Sequence, residues 1–133
     1  QFASVLLPYN DSMMQQSEYR SDFERLYSIC AEKQIGLQTI KSIAHRRWKK
    51  SDTEPPFSWY KPIRDSNALM NAVHYVLARP TLFLNTSSDA NLLRPILVAA
   101  SQPIFAPSPE TMKTDQEALG IEPLFVRGVT DEI

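Results

Sequence analysis

The feature that most limits what this chain can fold into is the regular alternation of short apolar runs with helical stripes. Ala3-Ser-Val-Leu-Leu-Pro-Tyr-Asn10 is nearly all apolar and closes on turn-forming Pro8 and Asn10, as suits a strand covered on both faces. Leu37 to Ala44 is rich in β-branched residues and too short for a typical helix, and Thr81 to Leu84 forms a third run of the same kind. Between the first two, Phe23, Leu26, Tyr27 and Cys30 recur at i, i+3, i+4 and i+7, and Ser21 and Glu24 have capping-box spacing; the pattern predicts a helix over 22–33. A second stripe, Leu69, Met70, Val73, Val76 and Leu77, lies between Asp65 or Ser66 as N-cap and Pro80 as stop. A third helix is expected over 91–100 with Leu92, Leu93, Ile96 and Leu97 as its apolar face and Pro95 in its first turn. A fourth is expected over 110–119, ended by Gly120, and 122–133 forms a tail without a predicted shape. Strands centred near residues 6, 40 and 83 in the order β-α-β-α-β-α imply an α/β fold of right-handed parallel units. A partial barrel and an open doubly wound sheet share this pattern.

A chain of 133 residues, 43% hydrophobic, supports one core and is read as a single unit. Its 14 basic and 15 acidic residues leave no strong overall field for nucleic acid or an anionic membrane. The single Cys30 reads as a buried packing thiol in a reducing, cytoplasmic setting. No apolar run approaches the roughly 20 residues that span a bilayer, and the first ten residues lack a signal peptide's basic region. The chain begins at Gln1, directly in a strand-like run, and is expected to be a fragment or a processed product.

Three segments at strand ends carry the functional reading: Leu7-Pro-Tyr-Asn10, Thr39-Ile-Lys-Ser-Ile-Ala44, and Leu84-Asn-Thr-Ser-Ser-Asp89 with Leu93-Arg94 beyond it. Together, over about residues 1–102, they resemble the sixth to eighth βα units of aldo/keto reductases, with 103–133 as a C-terminal extension. The resemblance implies a partial (β/α)8 TIM barrel whose strand ends face NADP, and an oxidoreductase that reduces carbonyl compounds. That family's catalytic Asp, Tyr, Lys and His come from earlier strands that this chain does not contain, so what remains is a cofactor-binding wall. The sequence departs from the family at Leu6, where a Gln is usual, at Lys41, where an aromatic stacks on the nicotinamide, and at Asn85-Thr86, where Pro-Gly is usual.

Chemistry supports parts of this. Thr86, Ser87 and Ser88 precede a helix, whose free N–H groups and dipole favour a phosphate, and Arg94 lies one to two turns on. The competing reading is that Ser88 or Asp89 only caps that helix and Arg94 is solvated; the Asp89 carboxylate also repels a phosphate. Residues 41–50 hold Lys41, Arg46, Arg47, Lys49 and Lys50 without an acid, and 45–62 reads as a long loop. Either that loop is a solvated charge run, or it covers the cofactor phosphates, with Lys41 and Ser42 nearest the strand ends and Arg46 or Arg47 reaching in. Trp48, Trp59 and Tyr60 are able to stack on bases, but no nucleic-acid recognition fold accompanies them. His74 reads as a packing histidine, and no metal-ligand spacing stands out. The alternative function is a non-catalytic half-barrel that binds a phosphorylated ligand or a protein partner. In both versions three parallel strands leave edges and apolar faces uncovered, so self-association or association with the missing half is expected.

Overall fold

The computed structural model describes residues 3–130. In chain order the elements are β1 (Ser4–Pro8), α1 (Asp11–Met14), α2 (Ser17–Lys33), β2 (Gly36–Ile40), β3 (Ala44–Arg47), β4 (Tyr60–Pro62), α3 (Ser66–Leu77), β5 (Leu82–Leu84), a single 3-10 turn (Ala90–Leu92), α4 (Leu93–Ser101) and α5 (Pro109–Leu119). The parallel sheet has the order β1-β2-β5, each strand beside its sequence neighbour of the same direction, and β3 pairs antiparallel with β4 in a separate hairpin. The result is a mixed α/β fold.

Alternation along the strands decides which face is buried. Val5, Leu7, Leu37, Leu82 and Leu84 pack with Phe23 and Cys30 of α2 and Val76 of α3. On the other side of α3, Leu69, Ala72 and Val73 meet Ile43, Ile63, Leu92, Ile96 and Ala99, so α3 is the layer shared by both clusters. The opposite face of the sheet carries the register row Leu6, Gln38 and Phe83, and there Leu6 is 57% and Phe83 61% exposed. The expected cover on both faces of the first strand is therefore absent at Leu6.

Four boundaries differ from the sequence reading, each for a local reason. The run 37–44 is not one strand, because Lys41 takes φ +65° and turns the chain out of the sheet; Ala44 then starts the hairpin. The stretch 45–62 is thus partly paired, with an irregularity between Ala44 and Arg46. Helix α2 begins at Ser17, a turn before the expected capping box, and α1 precedes it with Asn10 as its cap and Met13 and Met14 buried. On α4 the buried positions are Ile96 and Ala99, with Leu92 just before, while Leu93 and Leu97 are exposed, because the turn at 90–92 rotates the stripe. Helix α5 matches its expected span, capped by Ser108 and ended by Gly120 at φ +67°.

Candidate functional site

The carboxyl ends of the three parallel strands form a rim, and three devices shape it. The first is Asn10, which ties the end of β1 to the end of β2. Its Oδ1 accepts from Met13 N and Ser12 Oγ, both 2.9 Å away, and its Nδ2 donates to Lys41 O at 2.9 Å. Asn10 is 5% exposed, so these bonds stand in for water it has lost, and the one to the Lys41 carbonyl braces the left-handed turn there.

The second device is the hairpin. Arg46 forks both oxygens of Asp52 at 2.8 Å; Lys61 bridges Asp52 at 2.8 Å and Glu54 at 2.7 Å; Arg64 bridges Glu54 at 2.8 Å and Asp89 at 3.0 Å. Six alternating charges thus run from β3 to the turn after β5. The hydrogen bonds from Arg46, then those from Lys61 and from Lys49 N, hold the Asp52 carboxyl far below the ordinary range. At the far end burial opposes ionisation of Asp89, but Arg64 and the N–H and amide of Asn91 outweigh it and lower its pKa. Asp89 is the cap of the 90–92 turn.

The third device is the tail. Arg47 donates to Leu124 O at 2.8 Å and Thr130 O at 3.1 Å, and Gln16 Nε2 donates to Phe125 O at 2.8 Å. These bonds lay Phe125 beside Trp59, ring centroids 5.8 Å apart. A cleft of about 430 Å³ opens there, lined by Met13, Gln16, Tyr19, Phe125, Val126 and Arg127 among others. Tyr19 donates to Pro8 O at 2.6 Å, and burial pushes its phenol up to about 12.

The expected site residues distribute unevenly over this rim. Lys41 faces Trp59 and Phe125, its Nζ 4.9 Å and 5.4 Å from the ring centroids, and burial lowers its pKa. Trp59 meets Tyr60 edge-on at 5.6 Å, and the Tyr60 hydroxyl reaches Ser87 Oγ at 3.5 Å. Lys41, Trp59, Tyr60 and Ser87 therefore form one continuous line from the end of β2 to the turn after β5. Ser88 donates to Phe57 O at 3.4 Å, and Ser87 Oγ accepts from Asp89 N. Thr86 is exposed beside them. Arg94 is exposed on α4 and makes no side-chain hydrogen bond or ion pair among the described residues. Ser42 is 3% exposed and lines a small crevice with Asn10, Tyr75 and Met112 beneath the rim. Arg46 is engaged by Asp52, and Arg47 by the tail. His74 donates to Ala99 O at 2.9 Å in the core, and His45 to Leu119 O at 2.7 Å.

Asn10, Trp59, Asp52 and Phe125 were not among the residues singled out as site residues. Asn10 had a signal, an Asx residue at a strand end before a short helix. Asp52 had a weaker one, being six residues beyond Arg46. Phe125 had none, since it arrives from a tail without periodicity.

The chain matches no protein-family model and no curated protein. Among the described residues no helix is long and apolar enough to cross a membrane, and no group of three His, Cys, Asp or Glu is placed to hold a metal ion.

Proposed function

We propose that the chain forms the cofactor-side wall of an aldo/keto-reductase-like oxidoreductase that reduces carbonyl compounds with NADP(H), on an arc of a (β/α)8 barrel. The arc is supported by the strand order, in which each strand lies next to its sequence neighbour, and by helical cover on one face only, where a doubly wound sheet has helices on both. The observation that carries the functional reading is the line Lys41-Trp59-Tyr60-Ser87 along the strand ends. It sets a cation, an aromatic face and hydroxyls together at the end of the sheet where ligands of parallel α/β folds bind.

The residues fit a phosphorylated, ring-bearing cofactor. Trp59 is 41% exposed and presents a face for a planar ring. Thr86 and Arg94 offer donors to a phosphate, and Arg64 and Asn91 answer the Asp89 charge that would otherwise repel it. Arg46 acts indirectly by fixing the hairpin through Asp52. When bound, the cofactor supplies the hydride; this chain binds and orients it, and the acid that protonates the substrate belongs to strands outside the chain. A cytoplasmic setting belongs to the same proposal, motivated by the buried free thiol of Cys30.

Titrating NADPH into the purified chain, followed by nicotinamide fluorescence with a small aldehyde present in parallel, tests the reading. Saturable binding that weakens with salt and with Arg94→Ala is expected. Absence of any saturable binding would sink it and favour the second reading, a half-barrel that binds a protein partner, for which the exposed row Leu6 and Phe83 speaks.

A further inference from the structure

Just past the end of β2 lies a buried hydroxyl with no partner among the described residues. Ser42 is 3% exposed and its side chain makes no hydrogen bond there, although buried hydroxyls in folded proteins are almost always bonded. Among the described residues no side-chain nitrogen or oxygen is both closed off from water and unpaired, so the Ser42 oxygen opens onto a space that admits water. Ser42 lines the crevice of about 20 Å³ beneath the rim, and this is that space. Three helices meet Ser42 across it, α1 with Asp11 and Ser12, α3 with Tyr75 and α5 with Gln116, beside the α1 cap Asn10. Asn10 carries two amide hydrogens and donates one to Lys41 O; the second has no acceptor among the described residues, and Asn10 is 5% exposed. Burial raises the pKa of the Asp11 carboxyl, against the hydrogen bond from Gln15 and the charge of Arg20. The crevice is thus polar on several sides and has more hydrogen-bonding capacity than its own residues use.

Size selects what the crevice takes. Roughly 10–15 Å³ accommodates one water, so a space of about 20 Å³ admits one and excludes a phosphate, a ribose or a nicotinamide ring. A divalent cation calls for about six or more oxygen ligands. Among the described residues no group of three His, Cys, Asp or Glu is placed for one, and the spare Asn10 N–H repels positive charge. Water both donates and accepts, which suits a hydroxyl, an amide N–H and a carboxylate around one small space. We propose that the crevice binds a single long-lived water, held by the Ser42 hydroxyl and the Asn10 amide, that bridges the strand ends to α5 at Gln116. Buried waters of this kind make about three hydrogen bonds and are costly to remove. Met112 and Ile121 line the apolar side of the crevice, so the water joins the packing that seats α5, and the tail that follows α5 brings Phe125 to the rim. Ser42, expected from the sequence at the cofactor, thereby gains a different task beneath it. The water serves the fold whether or not a cofactor binds above, so this assignment goes beyond the cofactor reading.

The test is magnetic relaxation dispersion of the water oxygen nucleus on the purified chain, which reports waters held far longer than surface hydration and is blind to exchanging hydroxyl protons. The parent should show a dispersion, and Ser42→Ala, which removes only the hydroxyl, should lower its amplitude by that of one water. Hydrogen exchange over 112–119 should then run about 5-fold faster in Ser42→Ala, the size expected for losing one net hydrogen-bonded link, with 23–30 of α2 unchanged. Gln116→Leu, at the far wall, should speed the same α5 amides while circular dichroism reports a native fold. A parent without dispersion, or equal amplitudes in parent and Ser42→Ala, would overturn the site. Loss of the water with exchange in α5 unchanged would overturn the bridge. A urea midpoint that rises in NaCl over tetramethylammonium chloride at equal ionic strength, and no longer does so in Ser42→Ala, would give the crevice to a sodium ion and overturn the water.

Discussion

Lys41 is where β2 stops, and it is a costly residue to stop on. A side chain in the left-handed region costs on the order of 1 kcal/mol, while its two ring contacts return about 0.5–1 kcal/mol. The two nearly cancel, so Lys41→Gly, which relieves the backbone and loses the rings, should leave stability within ~1 kcal/mol of the parent in urea unfolding. Lys41→Ala keeps the strain and loses the rings, and should cost about 1 kcal/mol. Equal losses in both variants would mean that the backbone is not strained. Asp52 makes the pH prediction. Its folded-state pKa lies below the ordinary carboxylate value of 3.8, so its contribution is fully present above that value and is lost as pH falls through the folded pKa. Asp52→Asn should lower the urea midpoint at pH 7 and flatten the fall of stability below about pH 4; parallel acid curves for both proteins would refute the network's role. At this scale the sequence was informative where a residue acts on its neighbours, as Asp65 caps α3 and Gly120 ends α5. It was uninformative where the partner lies outside the segment: nothing near Lys41 announces Phe125, and the basic run 41–50 holds no acid because its partners lie beyond it, Asp52 for Arg46 and Glu122 for Lys49.

Among the elements, α3 bears the greatest responsibility, because its two flanks serve different clusters. Leu69, 2% exposed, fills the cluster that seats Ile43 and Ile63 beneath the hairpin. Leu69→Ala should cost about 2–4 kcal/mol by cavity formation, seen as a lower urea midpoint with an unchanged slope. The strands and helices with a sustained period were legible in outline, α3 and α5 nearly to the residue. The hairpin was not, since β3 and β4 are only four and three residues long and a Pro- and aromatic-rich stretch between them masks any alternation. The apolar face of α4 was misjudged at Leu93 and Leu97 for a related reason: a turn of tighter pitch before a helix shifts its phase, and a window of residues averages over that change.

For the whole molecule the uncovered face of the sheet is decisive. Among the described residues β1 and β5 each present an unpaired edge, and Leu6, Gln38 and Phe83 lie in one row across the sheet. Edges and apolar surface of this kind invite further strands or another molecule. Phe83→Lys should therefore reduce both the binding of a dye for exposed apolar surface and the concentration-dependent mass seen by light scattering, with little change in stability. A parent chain that is monomeric at all concentrations and binds no dye would contradict this. The parallel α/β order was legible from three apolar runs, but which face stays open was not, because apolar residues such as Leu6 read alike whether a helix or solvent lies beyond them.

The tail that closes the rim is held beside the strand ends through its main chain, where Arg47 and Gln16 take the carbonyls of residues 124, 125 and 130; exposed ion pairs of Arg127 and Glu122 lie to either side, and among the described residues of the tail Leu124 alone is buried, at 1% exposure. Every residue type carries the same carbonyl. The wall beside Lys41 can therefore be relined, one side chain at a time at position 125, without loosening the clasp that keeps the wall in place.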